Sequence, residues 1–179
     1  MAVLLGKDIF NIAELCEKEV LKSLVGTDFD WLYNLLLCLN TGNVDEFKSL
    51  CDQYDIFRRF QMLSGHEQQL ENKVRIVAFL DLIFHKDKDE RILTFDEIGS
   101  ATKVGNDIVE LLVMKTMSIG LVKGVIDEVE KTVRVTWVQP RLLSKEKIGF
   151  MIDKLASWKG KCEEAVQMLE EHCTELVHD

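Results

Sequence analysis

The sequence predicts a mostly α-helical fold with a small antiparallel sheet, made of helical-repeat hairpins, a winged helix and a long C-terminal helix. Three observations favour this fold. The chain has one proline in 179 residues, and apolar residues recur at spacings of three and four along most of it, as in amphipathic helices. Residues 132–139 instead alternate apolar and polar side chains, as a half-buried strand does. Residues 148–176 keep one unbroken helical pattern.

Residues 1–63 are predicted to be a helical-repeat segment, the end of a longer array. A helix over residues 27–40 is followed by a Thr-Gly-Asn turn at 41–43, which ends that helix and caps a second one over residues 44–54. The apolar residues of the two helices form facing stripes, as in one unit of stacked helical hairpins. One such pair cannot close a core alone, so we expect helical material over residues 9–24 to stack on it.

Residues 64–143 are predicted to be a winged helix that begins with three helices and a short strand. Ser64 with Glu67, and Thr94 with Glu97, have the spacing of capping boxes, in which each side chain bonds the other residue's backbone N–H. The predicted helices cover residues 64–85, 94–103 and 107–119.

The strands of this segment complete the winged-helix order. The predicted strands cover residues 92–94, 121–129 and 132–139, with the hairpin tip at 130–131. In the last strand Val133, Val135 and Trp137 alternate with Arg134 and Thr136, which predicts one buried face. The order helix, strand, helix, helix, strand, strand is that of a winged helix, a variant of the helix-turn-helix.

Residues 144–179 are predicted to be a C-terminal helix that packs in a bundle. Its apolar positions are Ile148, Ile152, Leu155, Trp158, Cys162, Val166, Leu169, Cys173 and Leu176. A seam of this length needs a partner. We expect at least the half from Cys162 onward to contact another polypeptide rather than its own chain.

Composition and charge exclude several classes of protein. With 47% hydrophobic and 30% charged residues the chain is globular rather than disordered. Its net charge of −9 opposes nonspecific binding to nucleic acid or anionic membrane. The longest apolar run, residues 31–39, is too short to cross a membrane, and the first residues do not form a secretory signal. Five cysteines without a CxxC pair favour reduced thiols and a soluble cytoplasmic or nuclear protein.

A winged helix raises the alternative of a nucleic-acid-binding module. A helix that reads DNA carries Arg, Lys, Asn or Gln on its outward face. The helix predicted over 107–119 is apolar around nearly its whole circumference and has one lysine, Lys115, while residues 66–143 carry 11 positive and 13 negative side chains. We therefore expect this helix to be buried on one side and pressed against protein on the other.

No motif points to catalysis, so we expect no enzymatic activity, metal, cofactor or small-molecule substrate. His66, His85, His172 and His178 are scattered and lack the spacing of a metal site. His172 and Cys173 are adjacent, but neighbouring helical residues point about 100° apart and cannot face one ion. Phosphate-binding loops and nucleophile motifs are absent from the sequence.

The remaining candidate sites are surfaces for protein contact. In a winged helix the first and second strands are sheet edges, whose unpaired backbone groups can bind a neighbouring strand. Charged side chains can blunt such an edge, so a protected edge without a partner stays an alternative. The candidate interface residues are Ile92, Leu93, Thr94, Lys123, Val125, Asp127 and Val129 in the sheet, and Cys162, Val166, Leu169, Cys173 and Leu176 in the terminal helix.

Helical repeats, a winged helix and a terminal helix in this order resemble the PCI domain family, and several motifs carry the resemblance. These are LTFDEI at 93–98, VELLVMK at 109–115, GLVKG at 120–124, IDEV at 126–129 and TWVQPR at 136–141, with 10–11, 14–15, 40–44 and Phe47 upstream. The resemblance spans residues 10–158, and the remaining tail matches in character only.

The resemblance implies a scaffold rather than a catalyst. PCI subunits of the proteasome lid line up through their winged helices and gather their terminal helices in one bundle, in support of ubiquitin-dependent degradation in cytoplasm and nucleus. The implied partners are therefore other PCI-domain lid subunits and the lid helical bundle, with no nucleic acid and no membrane. Such subunits carry a longer N-terminal helical array, so contacts made by that array are not assigned to these residues.

Overall fold

The structure is a computed structural model that describes residues 2–6, 9–10, 12–86, 91–139 and 145–172. Its elements in chain order are α1 (Ala2–Leu5), α2 (Ala13–Glu17), α3 (Glu19–Lys22), α4 (Asp30–Thr41), α5 (Val44–Tyr54), α6 (Ile56–Arg59), α7 (Glu67–His85), β1 (Ile92–Thr94), α8 (Phe95–Thr102), α9 (Asn106–Ser118), β2 (Val122–Asp127), β3 (Thr132–Val138) and α10 (Lys145–His172). The chain divides into two compact units, Met1–Arg141 and Leu142–Asp179.

Helices α4 and α5 form the hairpin that the sequence predicts. Gly42 ends α4 in the left-handed conformation (φ 76°), and the Asn43 side chain then caps α5 by accepting from the Glu46 backbone N–H at 3.2 Å. Gly42 also lies directly against α7, since a Cβ at this position would come within 2.6 Å of the Ala78 backbone nitrogen. The hairpin therefore packs on α7 through a backbone contact that only glycine permits.

The first unit has two hydrophobic clusters, and α7 contributes side chains to both. The hairpin cluster contains Leu4, Ile12, Leu21, Trp31, Leu35, Leu36, Cys38, Leu39, Val44, Phe47, Ile56, Leu63, Leu70, Val74 and Ala78. The wing cluster contains Phe10, Ile76, Val77, Phe79, Leu80, Ile83, Leu93, Phe95, Ile98, Val109, Leu112, Val113, Leu121, Val122, Val133 and Val135. Helix α7 is thus buried on two sides, and its 19 residues join the helical hairpins to the winged helix.

Lys73 of α7 is buried, and its ammonium group holds the N-terminal segment. Its Nζ donates to the carbonyl oxygens of Val3 (3.1 Å), Leu4 (3.0 Å) and Ile9 (3.3 Å), and it lies 5.7 Å from the centre of the Phe10 ring. A buried charge is tolerated when its hydrogen-bonding capacity is satisfied in this way. The contacts tie Val3, Leu4, Ile9 and Phe10 to the middle of α7.

The predicted winged helix is confirmed in its element order and sheet topology. The three strands are antiparallel in the order β1-β3-β2, so β1 and β2 are the two edges. Thr94 and Glu97 form the predicted capping box, with Thr94 Oγ1 accepting from the Glu97 N–H at 3.2 Å and Glu97 Oε2 accepting from the Thr94 N–H at 3.0 Å. Gly120 (φ 81°) follows α9 and turns the chain into β2.

The capping box predicted at Ser64 is wrong. Helix α7 begins at Glu67, and His66 is its N-cap residue. The His66 side chain makes no capping hydrogen bond, and Ser64 lies outside the helix. Gly65 has a left-handed φ of 83°, which places Ser64 in the preceding turn, where its N–H donates to the Phe60 carbonyl. The spacing of the motif was present, but the turn moved the helix start by two residues.

The helical material predicted over residues 9–24 is present as short helices. The structure has two short helices there, α2 and α3, which are interrupted at Lys18 by an extended backbone (φ −67°, ψ 131°). Leu21 still reaches the hairpin cluster. The apolar pattern therefore identified the buried side but not the break.

Trp137 is predicted to lie on the buried face of β3, and this prediction is wrong. Lys123 pairs with Trp137 whereas Gly124 pairs with Val135, so Thr136 is an extra residue in β3 and forms a β-bulge. Because the extra residue reverses the alternation of side chains beyond it, Trp137 is turned outward and is 40% exposed. A bulge of this kind leaves no mark in the alternating pattern itself.

The second unit is described by α10, a helix of 28 residues. At the usual rise it is about 42 Å long. Its exposed apolar side chains are Ile148, Met151, Ile152, Leu155, Trp158, Val166, Met168 and Leu169. Neither α10 nor any other helix in the described ranges is long and apolar enough to cross a membrane.

Candidate protein-interaction surfaces

Strand β1 is an edge strand with very few free backbone groups. Phe95 N–H donates to the Lys131 carbonyl and Val135 N–H donates to the Arg91 carbonyl, so the odd-numbered residues of this strand face β3. Because backbone groups alternate in direction along a strand, those of Ile92 and Thr94 face outward. Thr94 N–H is already bound by the carboxylate of Glu97. Ile92 therefore supplies most of the backbone N–H and C=O groups that remain open on this edge.

The carboxylate that closes this edge is held firmly. Glu97 accepts from Lys86 Nζ at 2.9 Å as well as from the backbone of Thr94. The hydrogen bond from Lys86, followed by that from Thr94, holds the pKa of Glu97 below its ordinary value. The carboxylate is thus charged at neutral pH and keeps its place in the capping box. A neighbouring strand that paired with β1 at Thr94 would have to displace it.

Among the candidates on β1, Leu93 differs from its neighbours. Its side chain is fully buried in the wing cluster, and its backbone pairs with Val133 of β3. Ile92 is 47% exposed and Thr94 is exposed. Leu93 therefore belongs to the core, while Ile92 and Thr94 lie at the surface.

Strand β2 is the second edge, and its register shows which of its groups are open. Val135 donates to Arg91, so its backbone groups face β1 and those of Arg134 face β2. Arg134 pairs with Val125. The backbone groups of Val125 are consequently used within the hairpin and do not face solvent.

The open groups of β2 belong to the residues on either side of Val125. Gly124 and Ile126 direct their N–H and C=O groups away from β3, by the same alternation. Asp127 does not cover them, because its carboxylate oxygen accepts from the Val129 and Glu130 N–H groups, both at 3.1 Å, and stays in the hairpin turn. This edge is therefore open where β1 is closed.

The candidate side chains on β2 and its turn are exposed. Val125 is 64% exposed and Val129 is 90% exposed, while Lys123 Nζ lies 5.2 Å from the centre of the Trp137 ring. These side chains surround the open edge with apolar surface and one cation.

Helix α9 has an exposed apolar stripe that the sequence interpretation did not resolve. Val109, Leu112, Val113 and Thr116 are buried against the winged helix. On the opposite side the exposed apolar residues are Ile108, Leu111 and Met114, which we call the α9 stripe. Their spacing of three residues could have identified them, but a helix that is apolar on nearly every side hides which of its faces is the core face.

On α10 the described part of the predicted seam is exposed. Cys162, Val166 and Leu169 have exposed side chains and lie on one side of the helix, at spacings of four and three. Cys173 and Leu176, the other two candidates, lie outside the described residues.

The cysteines of the first unit are poor nucleophiles. Burial, with a smaller effect of Glu46, raises the pKa of Cys38 to about 12. Burial, with a smaller effect of Asp52, raises the pKa of Cys51 to about 12. A thiol attacks as the thiolate, so both groups are inert at neutral pH. In the described part of the chain no three His, Cys, Asp or Glu side chains are placed to hold a metal ion.

A winged helix with an apolar outward stripe and an open strand edge, appended to helical hairpins, has the features of a protein-assembly module rather than of a DNA reader. The PCI domain model matches residues 44–137, which is more than half of the chain. The chain therefore belongs to the PCI domain family.

Within that family the relatives include proteasome subunits and, at 25% identity over 130 residues, covering 73% of this chain and 33% of that protein, the eukaryotic translation initiation factor 3 subunit M of Nematostella vectensis. The chain is 32% identical over 178 residues to the 26S proteasome non-ATPase regulatory subunit 13 of Dictyostelium discoideum, which covers 99% of this chain and 46% of that protein. It is 35% identical over 171 residues to the 26S proteasome regulatory subunit RPN9 of Saccharomyces cerevisiae, covering 95% of this chain and 42% of that protein. The chain thus spans less than half of the length of these relatives.

Proposed function

We propose that this chain is a non-catalytic scaffold in the lid of the 26S proteasome regulatory particle. In this role it joins other PCI-domain subunits through the β2 edge and through α10, and supports ubiquitin-dependent protein degradation in cytoplasm and nucleus. The names of its relatives and its PCI domain support the assembly. The observation that carries the mode of contact is the open β2 edge at Gly124 and Ile126.

The two strand edges are not equivalent in this proposal. Added strands bind through backbone N–H and C=O groups, and their affinity depends on how many such groups are free. The Thr94 N–H is occupied by Glu97 on β1, whereas on β2 the N–H and C=O groups of Gly124 and Ile126 face away from β3. A neighbouring subunit is therefore expected to add its strand to β2.

Amide hydrogen exchange tests the edge contact without any substitution. In the isolated chain the Gly124 and Ile126 N–H groups should exchange fast, and those of Val125 and Asp127 slowly, since the latter pair with β3. After incorporation into the lid, Gly124 and Ile126 should gain protection. Unchanged fast exchange of both amides in the assembled lid would contradict strand addition at β2.

A proline variant gives the matching functional test. Ile126→Pro removes an outward N–H, which an edge strand tolerates, but it also loses a half-buried side chain packed on the wing cluster, so it is compared with Ile126→Ala, which keeps the N–H. Ile126→Pro should lower incorporation into the lid further than Ile126→Ala does, while circular dichroism of both stays that of the folded chain. Val125→Pro is the matched control: it removes an N–H that binds β3 and should disturb the hairpin itself. Normal incorporation of a folded Ile126→Pro chain would argue against this edge.

Helix α10 is proposed to enter the lid helical bundle. Deleting residues 161–179 should leave the first unit folded but lower incorporation, because the seam at Cys162, Val166 and Leu169 is lost. A finer test replaces Val166 and Leu169 with serine and compares the result with Asp153→Asn and Glu164→Gln, which lie on the opposite side of the helix. Equal incorporation of the two double variants would refute the bundle role.

Nucleic-acid binding, the alternative function, is not favoured. The outward side of α9 carries Ile108, Leu111 and Met114 where a DNA reader carries cations and amides. A mobility-shift assay at low salt with duplex and single-stranded probes separates the two functions, because only a nucleic-acid binder should give a tight, salt-sensitive complex.

A further inference from the structure

The outer face of the sheet, as distinct from its edges, carries a mixed apolar and cationic surface. The strand register places Ile92, Arg134 and Val125 in one row across all three strands, and Lys123 beside Trp137 in a second row. All five side chains are exposed. We call these five residues the sheet-face patch.

The patch exists because of the bulge in β3. If β3 kept the regular alternation that Val133 and Val135 begin, Trp137 would point into the wing cluster. Gly124, opposite the bulge, has no room for a side chain, since a Cβ there would overlap the carbonyl oxygen of Arg134. A glycine at this position therefore lets the two strands approach with the tryptophan turned outward. The solvated face of an antiparallel sheet ordinarily carries polar residues, whereas three of these five are apolar.

The two cations of the patch have no carboxylate partner within the described residues. Three other lysines of the winged helix do have one: Lys86 pairs with Glu97, Lys103 with Asp45 and Lys131 with Glu128. No such ion pair forms in the described ranges at Lys123 or Arg134, although the chain as a whole carries an excess of acidic residues. The positive charge of the patch is thus left for a partner.

The surroundings of the patch favour a protein partner over a nucleic acid. The hairpin tip beside it carries Asp127, Glu128 and Glu130, all exposed. These carboxylates repel a phosphate backbone that would have to pass along the sheet. A protein segment can place its carboxylates only where the cations are and an apolar side chain beside them.

We propose that the sheet-face patch binds an acidic segment of a partner protein, with carboxylates on Lys123 and Arg134 and an apolar or aromatic side chain against Val125 and Trp137. The inference rests on the proposed function, because the segment is sought on a subunit of the same lid. Lys123 and Arg134 lie on adjacent strands, two residues apart in register, so their Cα atoms are about 8 Å apart at standard strand spacings. In an extended segment, acidic residues two positions apart lie about 7 Å apart on one side and match this spacing. An apolar residue two positions before or after them points to the same side and can lie against the apolar members of the patch.

Zero-length cross-linking in the reconstituted lid tests the proposal. A carbodiimide joins a lysine amine to a carboxylate that already touches it. We expect an amide between Lys123 Nζ and an Asp or Glu of another subunit, identified by mass spectrometry, and its loss in Lys123→Arg, which keeps the charge but cannot form the amide. If Lys123 forms no intersubunit amide and reacts with an amine-specific reagent equally fast in the isolated chain and in the lid, the proposal is overturned.

Charge reversal gives the second measurement. Arg134→Glu should weaken binding of the chain to the remaining lid subunits at least tenfold, whereas the matched control Lys22→Glu, an exposed cation on α3, should not. Equal affinities of the two variants would overturn the proposal. Failure of the wild-type chain to join the lid would instead count against the proposed function.

A peptide probe keeps the patch testable even in that case. The isolated full chain is titrated with the peptide Gly-Asp-Gly-Asp-Gly-Phe-Gly and with its Asn analogue, and the indole N–H signal of Trp137 is followed by nuclear magnetic resonance. A saturable shift with the acidic peptide alone, lost in Arg134→Glu, supports the patch. No shift with either peptide, or a shift with an oligonucleotide instead, would overturn it.

Discussion

Gly42 and Gly65 separate two reasons why a glycine is needed at a given residue. Both have a left-handed backbone, but only at Gly42 would a Cβ meet other atoms, those of the Ala78 backbone. We expect Gly65→Ala to cost about 1 kcal/mol for the strained backbone and Gly42→Ala clearly more, because α4 must also move away from α7. Urea unfolding of both variants measures the difference. Equal costs would show that the contact of α4 with α7 yields easily.

The capping box of Glu97 makes part of the stability depend on pH. Its folded-state pKa lies below the ordinary value of 4.5 because of Lys86 and Thr94. A group with a depressed folded pKa stabilises the protein above its unfolded pKa, and this contribution is lost as the pH falls through the folded value. The melting temperature of Glu97→Gln should therefore lie below wild type at pH 7, and the gap should narrow as the pH falls below the unfolded value of about 4.3 and through the folded-state pKa. A gap that stays constant over this range would contradict the assignment.

The thiols differ in reactivity for reasons of burial. Cys162 is exposed on α10, whereas Cys38 is buried and has a pKa of about 12. We expect iodoacetamide at pH 8 to alkylate Cys162 rapidly and Cys38 only after unfolding, as read for each cysteine by peptide mass spectrometry. Rapid alkylation of Cys38 in the native chain would show that α4 opens locally.

At the scale of elements, α9 has neighbouring leucines with opposite surroundings. Leu112 is 5% exposed in the wing cluster, and Leu111 is 64% exposed in the α9 stripe. Leu112→Ala should cost about 2–5 kcal/mol of unfolding free energy, whereas Leu111→Ala should stay within about 0.5 kcal/mol of wild type. Urea denaturation of the two variants checks the orientation of the helix, since a helix rotated by one residue would reverse the order.

The same elements show what the sequence could and could not predict. Helix α5, the capping box at Thr94 and the three strands follow from local signals, because caps, turns and alternation act over a few residues. The turn that delays α7 and the bulge that exposes Trp137 depend on backbone conformation at Gly65 and on pairing with β2, neither of which the side-chain pattern encodes.

The interaction surfaces follow the same division. That β1 and β2 are edges could be predicted from the element order. Which edge is open could not, because it depends on whether the Glu97 carboxylate or solvent faces the outer backbone groups. The sheet-face patch was hidden for the reason given for Trp137, since a residue assigned to the core is not considered as surface.

At the scale of the whole molecule, the first unit should fold without the second. The buried residues of both clusters lie between Leu4 and Val135, and none of the α10 residues 148–149 and 151–170, whose burial the structure describes, is buried. A chain that ends at Arg141 should unfold in one cooperative transition with a midpoint close to that of the full chain, as followed by circular dichroism in urea. A large drop in midpoint would show that α10 stabilises the first unit.

Helix α7 contributes side chains to both hydrophobic clusters, so a substitution in one cluster can affect the stability of the other. A cavity in the hairpin cluster destabilises α7, on which the winged helix packs. A substitution far from every contact surface can therefore abolish partner binding by unfolding the winged helix. A loss of partner binding alone therefore does not show that the substituted residue contacts the partner. Only variants that keep the thermal midpoint of the parent chain can distinguish the loss of a binding contact from the loss of the folded structure.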